Sequence, residues 1–333
     1  MAGSRALRKI QMGAETTAGT PVASTFIWRG TAGTIHDIQE VVFPAEDVGY
    51  LGGTTRSYIA RYWTELSMPD TEATFEQLPY ILEAGVEAES GTVDGSGSDY
   101  IWEYDASTTS QNTTTTYTIE GGDDQQAEEF DYAFVKSFTL SGSGMGALMM
   151  SAEWMGRQTS NTTFTAALTP DTVEEILVNN ATLYIDNSGG TIGSTAVSNT
   201  LFAFTLNWNT GLQEYWAVDG SKDFSLTKFT TDEIVLTMTY EHNASAVTEK
   251  ANYRSGAVRL IRLKCEGSAV NTAGTSYSNK TLLIDLAGVY EDWSALQDND
   301  GNDVVNATLR CRYSTADSLK AKITVVNELS ALP

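Results

Sequence analysis

The side chains with the richest chemistry are few and scattered. There are two histidines, His36 and His242, and two cysteines, Cys265 and Cys311. Neither histidine lies in a metal-ligand spacing such as HExxH, which sets two imidazoles on one helix face. Thiolate catalysis would need one cysteine activated by one histidine. Both cysteines sit inside strand-like runs, LIRLKCEG and ATLRCRY, and read as buried, reduced thiols, with a disulfide between neighbouring strands as the alternative. No GxSxG elbow supports a serine nucleophile. The run Asp298-Asn299-Asp300-Gly301-Asn302-Asp303 has the look of a calcium loop. With Gly301 at the sixth position, however, Leu296 and Ala307 stand where oxygen ligands are required. Asn299-Asp300-Gly301 fits a hairpin turn better. The stretch GSGMG at 142–146 lacks the Lys-Ser/Thr and the helix that follow a phosphate loop. Carboxylates are so plentiful that a glycosidase pair is neither identified nor excluded. No catalytic, cofactor-binding or metal-binding residues are assigned, and the expectation is a protein that is not an enzyme.

The elements around these residues are mostly β. A chain of 333 residues suits two domains of ordinary size. With 43 acidic and 20 basic residues the formal charge is -23, which argues against sustained binding to nucleic acid or an anionic membrane. It does not argue against a surface that nucleic acid slides past. No run is apolar enough to span a bilayer, and the first residues lack a signal-peptide core.

A strand running into a helix that stops at glycine occurs twice. The first copy is a strand over 58–66 and a helix over 75–84 before Gly85. The second is a strand over 234–240 and a helix over 244–254 before Gly256. Thr74 and Gln77 suggest a capping box, Phe75, Leu78, Ile81 and Leu82 a buried stripe, and Pro79 a lost hydrogen bond within that helix. Asn243 is a good N-cap, and Ala244, Val247 and Ala251 make a narrow apolar stripe on the second helix. Residues 1–25 read as an extended arm with a basic patch at Arg5, Arg8 and Lys9. Strands 201–208 and 213–218 read as a hairpin turned at Asn209-Thr210-Gly211. Phe43, Val48, Tyr50 and Leu51, in the connection over 40–60, are too apolar for an ordinary solvated tip and ask for a partner surface. The polar, Thr-rich stretch 155–172 marks the junction between a first domain, 1–160, and a second, 161–333.

From RKIQMGAETTAGTPVASTFIWRG through ATFEQLPYILEAG to VKSFTLSGSGMGALMMSAEWMGRQ, the chain resembles the major tail tube proteins of long, non-contractile-tailed bacteriophages. RSGAVRLIRLKCEG, LLIDLAGVYEDW, NDGNDVV and ITVVNEL continue that pattern. The resemblance implies two tandem tail-tube-like β-sandwich or barrel domains, each flanked by one helix. It implies a virion structural protein, assembled in the bacterial cytoplasm, that polymerises into stacked rings and conducts DNA without binding it specifically. Where most members form hexameric rings of one domain, two fused domains imply a homotrimeric ring, and one domain with large decorations would imply a hexamer. The implied partners are further copies of the chain, tail-tip initiator and terminator proteins, and a tape measure protein in the lumen, with no membrane anchor and no cofactor. Arg5, Arg8, Phe43, Val48, Tyr50 and Leu51 are the expected inter-subunit contacts. Val135, Phe138, Leu140, Phe204 and Leu206 are the expected inner-sheet residues. The rival reading is a carbohydrate-binding or adhesive β-sandwich, which the Trp and Tyr content (7 and 15) also suits.

Overall fold

The computed structural model describes residues 3–144 and 146–332. The chain is mainly β. In the first half the strands are β1 (Lys9–Ala14), β2 (Phe26–Ile27), β3 (Thr34–Val42), β4 (Tyr58–Glu72) and β5 (Thr92–Val93). They continue as β6 (Tyr100–Asp105), β7 (Tyr117–Gly122), β8 (Ala127–Ser143), β9 (Met149–Gly156) and β10 (Ser160–Thr162). The second half supplies β11 (Ala181–Asn187), β12 (Ala196–Val197), β13 (Leu201–Asn209), β14 (Leu212–Tyr215), β15 (Leu226–Phe229) and β16 (Glu233–Glu241). It ends with β17 (Arg259–Ala269), β18 (Asn279–Trp293), β19 (Gln297–Asn299), β20 (Asn302–Cys311) and β21 (Ala321–Asn327). The helices are α1 (Leu78–Gly85), after β4, and α2 (Ala244–Ser255), after β16.

The pairing order repeats. In the first half β1 pairs with β2 and β7, and β7 with the start of β8, whose other side takes β10. The end of β8 pairs with β9, β9 with β4, and β4 with β3. In the second half β11 pairs with β12 and β17, and β17 with the start of β18, whose other side takes β21. The end of β18 pairs with β20, β20 with β16, and β16 with β13. Side chains follow: Leu66 and Met68 face Trp154 and Ala152, as Leu236 and Met238 face Leu309 and Ala307. The departures are insertions, namely β5–β6 in the first half, and β14–β15 and β19 in the second.

Two seams bind the halves into one sheet. β8 pairs with β13 from Ser137 opposite Asn209 to Ser143 opposite Ala203. The inserted β6 crosses over to pair with β21, from Tyr100 opposite Asn327 to Asp105 opposite Lys322. A large buried core runs beneath, from Met12 and Trp154 to Leu236 and Ile323, and a smaller cluster gathers Tyr132, Phe134, Met155, Leu212 and Phe224.

Several local expectations need correction. Residues 9–14 are not a free arm but a paired strand, and Glu15 pins the chain after it. The Glu15 carboxylate accepts from the Gly19 and Tyr132 amides and from the Thr116 and Thr118 hydroxyls at 2.7–3.0 Å. The Thr74 hydroxyl accepts from the Gln77 amide, but the Gln77 side chain turns to Arg29 and Ile27, so only half of a capping box forms. Helix α1 starts late enough that Pro79 falls in its first turn, where no amide partner is lost. Gly85 is the last helical residue, not the stop beyond it. In α2 the Asn243 cap accepts from the Ser245 and Ala246 amides, and Gly256 closes the helix at φ 66°. The narrow apolar stripe of Ala244, Val247 and Ala251 lies on the exposed side of the helix. The buried residues are Ala246 and Glu249, and Glu249 holds Arg259 through two 2.8 Å hydrogen bonds. A buried ion pair, not an apolar stripe, seats this helix. β13 and β14 do not form a hairpin. The Thr210 hydroxyl donates to the Val135 and Lys136 carbonyls, Gly211 turns at φ 75°, and β14 pairs with β15. The stretch 155–172 bonds to both halves: the Arg157 amide donates to Asp131 and the Thr165 amide to Glu120, while Arg157 Nε donates to Phe224 and the Gln158 amide to Asp223.

Candidate functional site: a polar sheet face and two open edges

Eight strands run side by side in the order β3-β4-β9-β8-β13-β16-β20-β18, using the C-terminal parts of β8 and β18. Alternation along each strand gives this sheet two unlike faces. One rung across it reads Met150, Leu140, Leu206, Leu236, Leu309 and Tyr290, all buried. The neighbouring rung, on the opposite face, reads Met149, Ser141, Thr205, Thr237, Thr308 and Asp292. The polar face is laced across strands. Ser67 donates to Glu153 at 2.7 Å, Thr139 to Asn207 at 3.0 Å and Thr239 to Asn306 at 2.8 Å. Arg310 is a cation on this face, and it is tied to Glu233 and Glu291. The result is a broad surface of hydroxyls, amides and carboxylates with little free positive charge.

Val135, Phe138, Leu140, Phe204 and Leu206 are all buried on the apolar side of this sheet. Leu140 lies opposite Leu206, and Phe138 stacks on Trp208 with ring centroids 5.4 Å apart. They weld the two halves.

Among the described residues, β3 pairs on one side only, with β4, and the end of β18 on one side only, with β20. Their counterparts under the repeat, β13 and the end of β8, are the strands that pair with each other. Two bare strand edges normally invite aggregation unless they have a designated partner. Beyond β3, Phe43, Tyr50 and Leu51 are 66%, 71% and 107% exposed, and Val48 is exposed with them. Arg5 and Arg8 are exposed near the β7–β8 turn at 123–126, where the Ser4 amide donates to Asp124. Nearby, the turn amides of Gln125 and Gln126 hold the Asp123 carboxyl below its usual range, helped by Arg8.

Comparison with known proteins returns no matching family model and no matching curated protein.

The residues of richest chemistry stay apart. His36 is exposed on the β3 edge, and His242 gives its amide to Asp303 just before α2. Cys265 and Cys311 are free and buried, and burial pushes both thiols up to about 12. Asp300 and Gly301 take φ 54° and 85° between the paired Asn299 and Asn302, so the acidic run is a tight hairpin turn. No cluster of three or more potential metal ligands occurs among the described residues.

Proposed function

We propose that this chain is a structural virion protein that polymerises head to tail into stacked rings forming a phage tail tube. The supporting observation is the matched pair of open edges. The chain already makes one junction of the required kind, between β8 and β13, and presents the two halves of the same junction, the end of β18 and β3, at its extremities. A heterologous contact of this type closes into a ring or runs on as a helix. Carrying the β8–β13 register over places Trp293 of one copy opposite Asp37 of the next, and Asp292 opposite Ile38. Each copy acts as two fused tube modules, so three copies give a ring of pseudo-sixfold symmetry. The sheet then closes into a barrel without free edges. Its hydroxyl- and carboxylate-rich face, turned to the lumen, offers phosphates few cations to bind, so DNA passes without sticking. The work is assembly, not catalysis.

Electron microscopy of the concentrated protein, with averages viewed down the axis, tests this. Hollow rings or tubes with threefold symmetry are expected. Monodisperse monomers that persist even when seeded with tail-initiation complexes would overturn the reading.

A further inference from the structure

The connection 210–232, between β13 and β16, folds onto the first half of its own chain. Phe224 is fully buried there, its ring 5.0 Å from Tyr132 and 6.0 Å from Phe134. Beside Tyr132 and Phe134 on β8, receiving residues come from β4 and from the end of β9. The Tyr62 amide on β4 donates to the Lys222 carbonyl. Just past β9, Arg157 Nε donates to the Phe224 carbonyl at 3.0 Å and the Gln158 amide to Asp223 at 3.0 Å.

The repeat fixes the counterparts of these residues in the second half. Met155 faces Glu65 as Arg310 faces Val235. Arg157 and Gln158 therefore correspond to Arg312 and Tyr313, and Tyr62 to Asp232. These counterparts line an open groove of about 600 Å³, with Lys320 on its rim. Arg312 and Tyr313 are exposed, and none of the described residues fills the groove as Phe224 fills its twin. The segment equivalent to 210–232 is the connection 39–62, of nearly equal length, which carries the bare Phe43, Val48, Tyr50 and Leu51.

We infer that the groove at Asp232, Arg310, Arg312 and Tyr313 receives residues 43–57 of the adjacent copy. Charge is compatible: Arg310 and Lys320 are paired with Glu233 and Asp232, which leaves Arg312 as the groove cation with no ion pair among the described residues, and the segment carries Glu46 and Asp47. Glu46 is already engaged, accepting from the Thr55 amide and pairing with Arg56, which pre-shapes the segment and leaves Asp47 for the partner. The inference rests on the head-to-tail ring, because only a neighbour joined through β3 brings its 43–57 segment to this groove.

Hydrogen–deuterium exchange on the full chain, monomeric against assembled, separates the two ideas. The expected result is about tenfold or greater slowing at four places, β3, the end of β18, residues 43–57 and residues 310–313. Slowing at β3 and β18 alone would overturn the groove and leave the ring standing. No slowing at β3 and β18 would overturn the ring, and the groove with it. As a second arm, Arg312→Glu, at an exposed site that leaves the monomer fold intact, should raise the concentration needed for assembly about tenfold. An unchanged threshold would overturn the assignment.

Discussion

Two connections leave and re-enter the sheet at equivalent rungs and end in opposite states. Residues 210–232 bury Phe224 and bring Arg61 within 4.5 Å of the Trp216 ring, whereas the residues at the tip of 39–62 touch little but one another. Their sequences do not explain this, since both carry aromatic and acidic residues at the tip. The difference lies in the receiving surface. The first half stands beside β13 within the same chain, whereas among the described residues β3 has no strand on the side away from β4. Burial here is a property of the neighbour, not of the segment.

Phe224→Ala should break the comparison most forcefully. Emptying a fully enclosed aromatic site costs about 4 kcal/mol, measured by urea unfolding of the monomer. Leu51→Ala should stay within about 0.5 kcal/mol in the same measurement, because its side chain is already in water. Equal losses would mean that the two connections are alike after all. The helices give a second contrast. Glu249→Ala should cost about 3 kcal/mol, because it strands the Arg259 guanidinium in a buried site. Val247→Ala on the exposed side of α2 should cost under about 0.5 kcal/mol. The turn glycines sharpen the contrast further. Gly211 has φ 75° and a Cβ there would meet the Thr230 carbonyl oxygen at 2.9 Å, so Gly211→Ala should cost about 2 kcal/mol. Gly53, at φ 81° with open space around it, should lose only the backbone term of about 1 kcal/mol. Thermal unfolding of the pair measures the difference.

The smallest effect concerns pH. Burial raises the Asp131 carboxyl to about 6, partly offset by Arg157 and reinforced by Glu15. Between an unfolded value of about 4 and that figure, the native state holds a proton that the unfolded chain has released. Asp131 therefore contributes a loss of stability as pH rises through this window, complete above it. Asp131→Asn should flatten this part of the stability–pH curve, and an unchanged slope would show that another group sets it.

Much of the fold is legible in the sequence because its signals are local. The strand–helix–glycine unit appears twice, the Asn243 cap and Gly256 stop lie where their side-chain chemistry puts them, and Asn299-Asp300-Gly301 turns as its residues demand. What fails to show locally is what depends on distant partners. The seat of α2 hangs on Glu249 meeting Arg259, which no apolar periodicity reveals. The hairpin expected across 209–211 gives way because Thr210 bonds back to β8. The open edges and the empty groove are less visible still. They emerge only when β3 and β18 are set against β13 and β8, and residue identity between the halves is too sparse to suggest that alignment.

If the chains form the proposed ring, the seam between β8 and β13 bears on how fast and how cheaply it assembles. In a ring of these chains, every second lateral joint is closed by the polypeptide itself before any two molecules meet. Each free association forfeits several kcal/mol of translational and rotational freedom, on the order of 4–15 kcal/mol. Joining the modules in one chain removes more than half of those encounters from the nucleation step. It also fixes the alternation of the two module types around the ring, so that no ring can close with two like modules side by side.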